Sequence, residues 1–374
     1  MGQERTSRTQ QERLTIGLVG PLPQPAGGMA NQTEQLARLL DASGVGVEVV
    51  RTNAPYRPGV VAHLRGVRAL FRLAPYLLAL WRAAGRVDLF HVMANSGWAW
   101  HLFATPAIWV ARLRGIPVIV NYRGGEAGRF LERQHRWIRP TLRRATAVVV
   151  PSGFLREVFA RWDVPTETVP NIIDLARFAP GPSQAGRLHF LVARNLEDIY
   201  DIPTAIHAFA QIRRLHAHAR LTVAGSGPRR ADLEALCASL GLHDAVTFAG
   251  RLDNQQMAQL YRVTDFVLNP TTADNMPISL LEAMASETPI VTTDAGGIPF
   301  LVEHERTALL VPVGDARAMS AAALRLIDDP ALAARLRAAG QRTAAGYTWA
   351  RVRPRLLDVY ARALGRTELA IPSL

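Results

Sequence analysis

Two carboxylates, Asp274 and Glu282, bracket a stretch that reads Asn269-Pro270-Thr271-Thr272-Ala273-Asp274-Asn275-Met276-Pro277-Ile278-Ser279-Leu280-Leu281-Glu282-Ala283-Met284-Ala285. An apolar run precedes it, so the order is buried strand, polar turn, helix. Pro277 suits the first helical turn, where its missing N–H costs nothing. The unpaired amides around Met276 to Leu281, together with the helix dipole, make a site for an anion. A carboxylate placed like Glu282 accepts two hydrogen bonds from vicinal hydroxyls, as a ribose presents. The same residues also fit a plainer role, with Asp274 as an N-terminal cap and Glu282 as a solvated helix position.

Other loops at strand ends carry the glycines that close backbone approach to a diphosphate requires. They are Gly225-Ser226-Gly227-Pro228, Asp294-Ala295-Gly296-Gly297-Ile298-Pro299 and, near the start, Gly20-Pro21 and Gly27-Gly28. Positioning them needs strands that end at one edge of a sheet. Short apolar runs alternate with amphipathic stretches, the rhythm of an α/β protein with parallel sheets covered on both faces. Strands are expected near 14–19, 45–50, 88–91, 118–121 and 147–150, then near 189–193, 220–224, 246–248, 266–269, 290–292 and 308–311. The rhythm breaks over 170–184, where Pro170, Pro180, Gly181 and Pro182 mark an interdomain linker. The expected organisation is a disordered tail over 1–13, Rossmann-like domains over 14–175 and 176–348, and a C-terminal helix over 349–374 that packs back on the first domain. Ligands of open parallel sheets bind at the carboxyl ends of the strands, so the chemistry belongs in a cleft between two such domains.

The net charge of +12 comes from arginine alone, since the chain has no lysine. Residues 1–180 hold 23 Arg against 12 acidic residues, whereas 181–374 hold 20 against 19. The basic half calls for an anionic partner: a membrane surface, a lipid phosphate or nucleic acid. No nucleic-acid-binding module is present, which excludes the last. Cys237 is the single cysteine; it lies in an apolar-periodic segment, as a buried structural thiol in a cytoplasmic protein would. No signal peptide is expected over 1–13, and no apolar stretch long enough to span a bilayer is free of Arg. A dinucleotide-dependent oxidoreductase is argued against, because no Gly-x-Gly-x-x-Gly follows the first strand.

Taken together, Asp274-x7-Glu282 with the following Ala-Met-Ala, Pro151-Ser152, Pro170-Asn171-Ile172-Ile173-Asp174, Phe248-Ala249-Gly250 and the glycine loops resemble family 4 of the GT-B glycosyltransferases, also called group 1. The resemblance runs from Ile16 to about Leu364. It implies the GT-B fold, with two Rossmann-like domains facing across a cleft, and a retaining transferase that takes a sugar from a nucleotide diphosphate with no metal and no other cofactor. It implies a catalytic group of Asp274, Glu282 and Arg194. Glu282 would bind the donor ribose, Asp274 with the amides of Asn275 and Met276 would hold the transferred sugar, and Arg194 would clamp the diphosphate. Arg251 and Leu252 would flank the base, and Gly28 would cap the phosphates. Pro277, Leu280, Leu281 and Arg123 complete the implied donor site. No protein base is required, because a leaving phosphate oxygen can take the acceptor proton on the same face.

Two positions depart from the family pattern. Ile199 stands where a lysine usually follows the phosphate arginine, so the missing charge must come from Arg123 or Arg251, or turnover is slow. Arg123 stands where many members carry a histidine, and an arginine cannot act as a general base. On the acceptor side the candidates are Gly27, Trp98, His101 and Arg123, with Trp98-Ala99-Trp100-His101 offering a platform for a sugar or lipid. Residues 60–86 combine an apolar row, Val60, Leu64, Val67 and Phe71, with a basic row, Arg65, Arg68 and Arg72, before Pro75 interrupts them and Arg86 closes the run. Residues 129–144 interleave Phe130 and Trp137 with arginines from Arg129 to Arg144. Such segments fit a peripheral protein at the inner face of a bacterial membrane, or ordinary helices with solvated basic faces. The expected acceptor is lipid-linked or saccharide, in surface polysaccharide or glycolipid synthesis. A degenerate relative that binds nucleotide sugar without efficient transfer is the alternative that Ile199 motivates.

Overall fold

A computed structural model describes residues 13–23, 28–55, 68–181 and 188–369. The tail through residue 12, Gly27 and residues 60–67 of the basic segment lie outside the described residues.

Among the described residues, twelve strands form two six-stranded parallel sheets. The first holds β1 (Thr15–Gly20), β2 (Gly46–Arg51), β3 (Leu89–Ala94), β4 (Val118–Tyr122), β5 (Ala147–Val150) and β6 (Glu167–Thr168), in the order β2-β1-β3-β4-β5-β6. The second holds β7 (His189–Ala193), β8 (Arg220–Ala224), β9 (Val246–Gly250), β10 (Phe266–Asn269), β11 (Ile290–Thr293) and β12 (Leu309–Val311), in the order β12-β11-β10-β7-β8-β9. Helices such as Gly28–Ala42, Ile202–Leu215 and Ile278–Ala285 connect the strands. Strands β3, β4, β10 and β11 are buried at every residue, which is why they read as mainly apolar runs rather than alternating ones. β6 went unforeseen, since two residues carry no period. The helix Arg68–Ala83 runs through Pro75 rather than stopping there. Pro75 lies on the exposed side, where water can meet the carbonyl that the proline leaves unbonded.

The chain divides into two compact units, Met1–Asn121 with Arg139–Ala147 and Asp358–Leu374, and Tyr122–Ile138 with Val148–Leu357. In the second, two apolar clusters cover the two faces of the β7–β12 sheet: one around Phe190, Phe209, Leu221 and Leu326, the other around Leu191, Val267, Leu280 and Ile298. Cys237 belongs to the first of these, and burial pushes its thiol up to about 11.

In the first unit a polar chain crosses the core. Asn121 Nδ2 donates to His91 Nε2 at 3.0 Å, which leaves the proton on Nδ1 to donate to Tyr360 Oη at 2.8 Å. His91 and Tyr360 are fully buried and meet edge to face. Removing the hydroxyl takes away the partner of a desolvated imidazole, so Tyr360→Phe should lower stability by about 1–3 kcal/mol in urea unfolding.

Candidate functional site

Strand order in the second sheet reverses between β7 and β10, and a ligand crevice opens where order reverses. Arg194 leaves the end of β7 there, and its Nε donates to Asn269 Oδ1 at the end of β10, 2.6 Å away. Its Nη1 pairs with Asp274 Oδ2 at 2.9 Å, and its guanidinium lies 5.2 Å from the Tyr200 ring centre. Asn269 is itself fixed by donating to Thr292 Oγ1 at 2.7 Å. Both charged side chains are largely withdrawn from water, at 9% and 15% exposure. Arg194 Nη2 is buried with no hydrogen-bond partner. A buried donor left unpaired is costly and asks for an explanation; a ligand anion at this crevice supplies one.

Two glycine loops set the backbone around this pair. A Cβ at Gly225, whose φ is +155°, would sit 1.9 Å from the Arg194 carbonyl, and one at Gly297 would sit 2.0 Å from the Asn275 carbonyl. Gly297 N–H also donates to the Asp274 carbonyl at 2.8 Å. The Asp274 and Asn275 backbone is therefore clamped from behind. Asp274 Oδ1 accepts from the Asn275 amide at 2.7 Å, so that amide is engaged by its own neighbour rather than open to a sugar.

Pro277 is the residue before the helix Ile278–Ala285, in extended conformation, and not a member of its first turn. The cause is local: the Leu280 N–H already donates to the Pro277 carbonyl at 3.2 Å, which makes Pro277 the capping position. Asp274 does not cap this helix, and Glu282 is half-buried rather than solvated. The side chains of Leu280 and Leu281 are fully buried in the apolar cluster. Met276 and Asn275 are also buried.

Desolvation pushes the Glu282 carboxyl up to about 7, against the opposing pull of hydrogen bonding to Tyr261 and of the Arg194 charge. Tyr261, also buried, donates its hydroxyl to the Ser279 carbonyl at 2.9 Å.

Arg123 joins the same site. Its Nη1 donates to Asn171 Oδ1 at 2.7 Å, Asn171 Nδ2 donates to the Met276 carbonyl at 2.8 Å, and Asn275 Nδ2 donates to the Arg123 carbonyl at 2.7 Å. Burial pulls its guanidinium down to about 10, still protonated at neutral pH. Ile199 is held through its carbonyl, which accepts from Thr272 N, Thr272 Oγ1 and Thr271 Oγ1 at 2.9, 2.9 and 3.1 Å. Arg251, exposed, donates to Ser226 Oγ at 3.1 Å, and the neighbouring Leu252 packs on the apolar cluster.

The fold thus brings together Arg194, Asp274, Asn275, Met276, Glu282 and Arg123. Gly28, Trp98 and His101 belong to the other unit. Gly28 opens the helix Gly28–Ala42, and a Cβ there would meet nothing within 4 Å. Trp98 is exposed and stands edge-on to His101 with ring centres 6.3 Å apart, just where the chain enters a π-helical turn, Trp100–Ala104. Trp100 is a core residue. Sequence reasoning missed Asn171, Tyr200, Tyr261 and Asn269 as site residues. Asn269 carried a legible signal, a polar residue closing an apolar strand. Among the described residues no group of three or more His, Cys, Asp or Glu could hold a metal ion, and no helix is long and apolar enough to cross a membrane.

Comparison with known proteins adds the following. Residues 26–177 match the family model described as "Glycosyltransferase Family 4", and residues 187–329 match that described as "Glycosyl transferases group 1". The chain is 27% identical over 422 residues to the D-inositol 3-phosphate glycosyltransferase of Kineococcus radiotolerans, covering 96% of this chain and 97% of that protein. It is 29% identical over 277 residues to the glycogen synthase of Mycobacterium tuberculosis, covering 70% and 67%. Among solved structures it resembles the sucrose-phosphate synthase of Thermosynechococcus elongatus, with TM-score 0.76, 22% identity and coverage of 94% and 100%. It also resembles Anabaena HepE in complex with UDP-glucose, with TM-score 0.75, 17% identity and coverage of 94% and 100%. At these identities the structural likeness shows the fold.

The raised carboxyl makes a prediction. Between about 4.5 and 7 the folded chain keeps a proton on Glu282 that the unfolded chain releases, so this group costs stability as pH rises through that window. The melting temperature of Glu282→Gln minus that of the wild type should therefore increase from pH 4.5 to about 7 and then level off.

Proposed function

We propose, from the premise that this chain belongs to the group 1 glycosyltransferases of the GT-B fold, that it moves a sugar from a nucleotide diphosphate to a lipid-linked or saccharide acceptor with retention of configuration. The observation that carries the reading is the buried Arg194, held by Asp274 and Asn269 with Nη2 unpaired, beside a carboxyl at Glu282. A guanidinium fork fits a phosphate oxygen, and a carboxylate fits a ribose diol. The UDP-glucose bound to the Anabaena protein supports a nucleotide-sugar donor.

In the proposed reaction the bond from the anomeric carbon to the β-phosphate oxygen breaks, and the acceptor hydroxyl oxygen bonds to that carbon on the same face. The acceptor proton passes to the departing phosphate. Arg194 neutralises the charge that develops there, Arg123 supplies the cation that Ile199 lacks, and no metal ion is needed. Asp274 releases part of its hold on Arg194 and on the Asn275 amide to take sugar hydroxyls. Residues 176–348 serve the donor and 14–175 the acceptor, with Trp98 and His101 on the acceptor side. The basic segments 60–86 and 129–144 place the protein at the inner, anionic face of a bacterial membrane, where surface polysaccharide or glycolipid is assembled.

A second reading, a binder of nucleotide sugar without efficient transfer, is favoured by Ile199 alone. Thermal shift with UDP, GDP, ADP and their sugar conjugates separates the cases. One nucleotide should stabilise the wild type, by about 2.7 kcal/mol at ~100 times its Kd, and should lose this effect in Glu282→Ala. Stabilisation without glycosyl transfer or donor hydrolysis supports the binder; no stabilisation by any nucleotide rejects the donor site.

A further inference from the structure

Two hydrogen-bonded contacts fix part of the Arg194 fork, Nε on Asn269 Oδ1 and Nη1 on Asp274 Oδ2, and Nη2 is left buried with no hydrogen-bond partner. A third contact comes from a ring. Arg194 Cζ lies over Tyr200, 5.2 Å from the ring centre, within the range at which the negative face of an aromatic ring attracts a cation. Burial raises the Tyr200 hydroxyl above its ordinary value, and the nearby Asp274 and Glu197 charges push the same way against the pull of Arg194. The phenol therefore keeps its proton at neutral pH, and it meets Arg194 through its ring rather than as a phenolate.

The chain goes to some length to put that ring there. Tyr200 ends a short 3-10 turn, Asp198–Tyr200, and its N–H donates to the Glu197 carbonyl at 3.0 Å. The turn is tied across to the loop after β10, because the Ile199 carbonyl accepts from Thr272 N, Thr272 Oγ1 and Thr271 Oγ1. Asp201 follows at a φ of +42°, in left-handed backbone that a residue with a side chain seldom adopts. Its carboxylate accepts from Thr204 Oγ1 at 2.6 Å, in the first turn of the helix Ile202–Leu215. The half-buried Tyr200 ring also packs on the apolar cluster around Phe190 and Phe209. Ile199 brings no charge to the crevice, yet its backbone anchors the residue beside it. All these residues lie in one compact unit.

We infer that Tyr200 is a positioning residue for the donor diphosphate, its ring holding the Arg194 guanidinium so that the unpaired Nη2 meets the β-phosphate. A nucleoside monophosphate has no β-phosphate and gains nothing from this arrangement. The inference rests on the donor reading above and can fail by itself. Calorimetric titration of the full chain with UMP and UDP, GMP and GDP, and AMP and ADP tests it. Tyr200→Leu keeps apolar bulk on the cluster and removes the ring; it should bind the preferred diphosphate about tenfold more weakly, with binding of the matching monophosphate unchanged. Tyr200→Phe keeps the ring and should bind both like the wild type. Tyr200→Met serves the same comparison should leucine prevent folding. Undiminished diphosphate binding without the ring overturns the assignment. So does an equal loss for monophosphate and diphosphate, which marks a scaffold residue, or a loss in Tyr200→Phe as large as in Tyr200→Leu, which marks the hydroxyl as the working group. A wild type that binds no diphosphate removes the donor reading itself.

Discussion

A largely buried arginine bonded to a largely buried carboxylate holds the strand ends of the second unit's sheet together. Arg194 stitches the end of β7 to the end of β10, the two strands between which the sheet changes direction, and Asp274 extends that stitch into the following loop. Taking both charges out of water is expensive, and their attraction repays it only with good geometry and further hydrogen bonds. Those bonds are present at Asn269 and at the Asn275 amide, and the Tyr200 ring lies 5.2 Å from the guanidinium. The fork is still incomplete, since its Nη2 has no hydrogen-bond partner. The fold at large serves this arrangement: two glycine loops press the backbone close behind it, and a network from Arg123 through Asn171 to Met276 fixes the loop edge.

Glu282 obeys the opposite logic. Its carboxyl is held in surroundings that resist its charge, against the opposing pull of Tyr261 and of the Arg194 charge. Donor hydroxyls that bond to the ionised form would favour proton release. The two carboxylates thus differ by environment: Asp274 pairs with an arginine, while burial raises the Glu282 carboxyl beside a tyrosine hydroxyl.

Much of the architecture was legible because parallel strands buried on both faces are written as plain apolar runs, and because turns at their ends need glycine or proline. Asp274 and Glu282 were legible from their place around one helix start. The misreadings have physical causes. Pro277 can stand at the capping position or one residue later with the same φ, and sequence does not choose between them. Leu280 and Leu281 directly precede Glu282 in sequence, and helical geometry turns their side chains into the core. Asn171 and Tyr261 reach the site only through tertiary approach, across 105 residues to the Met276 carbonyl in one case and 18 to the Ser279 carbonyl in the other. No local pattern announces such partners.

The hydrogen bond between His91 and Tyr360 spans 269 positions of chain. Synthesis runs from the amino end, so β3 emerges from the ribosome long before the tyrosine that completes its buried imidazole. The first unit therefore cannot finish its core while the second is being made, although the second can close on itself as it emerges. An early-made half must wait, with an unfilled polar seam, for the last helix to arrive. During that interval the nascent first unit lacks the contact that Tyr360 makes with His91.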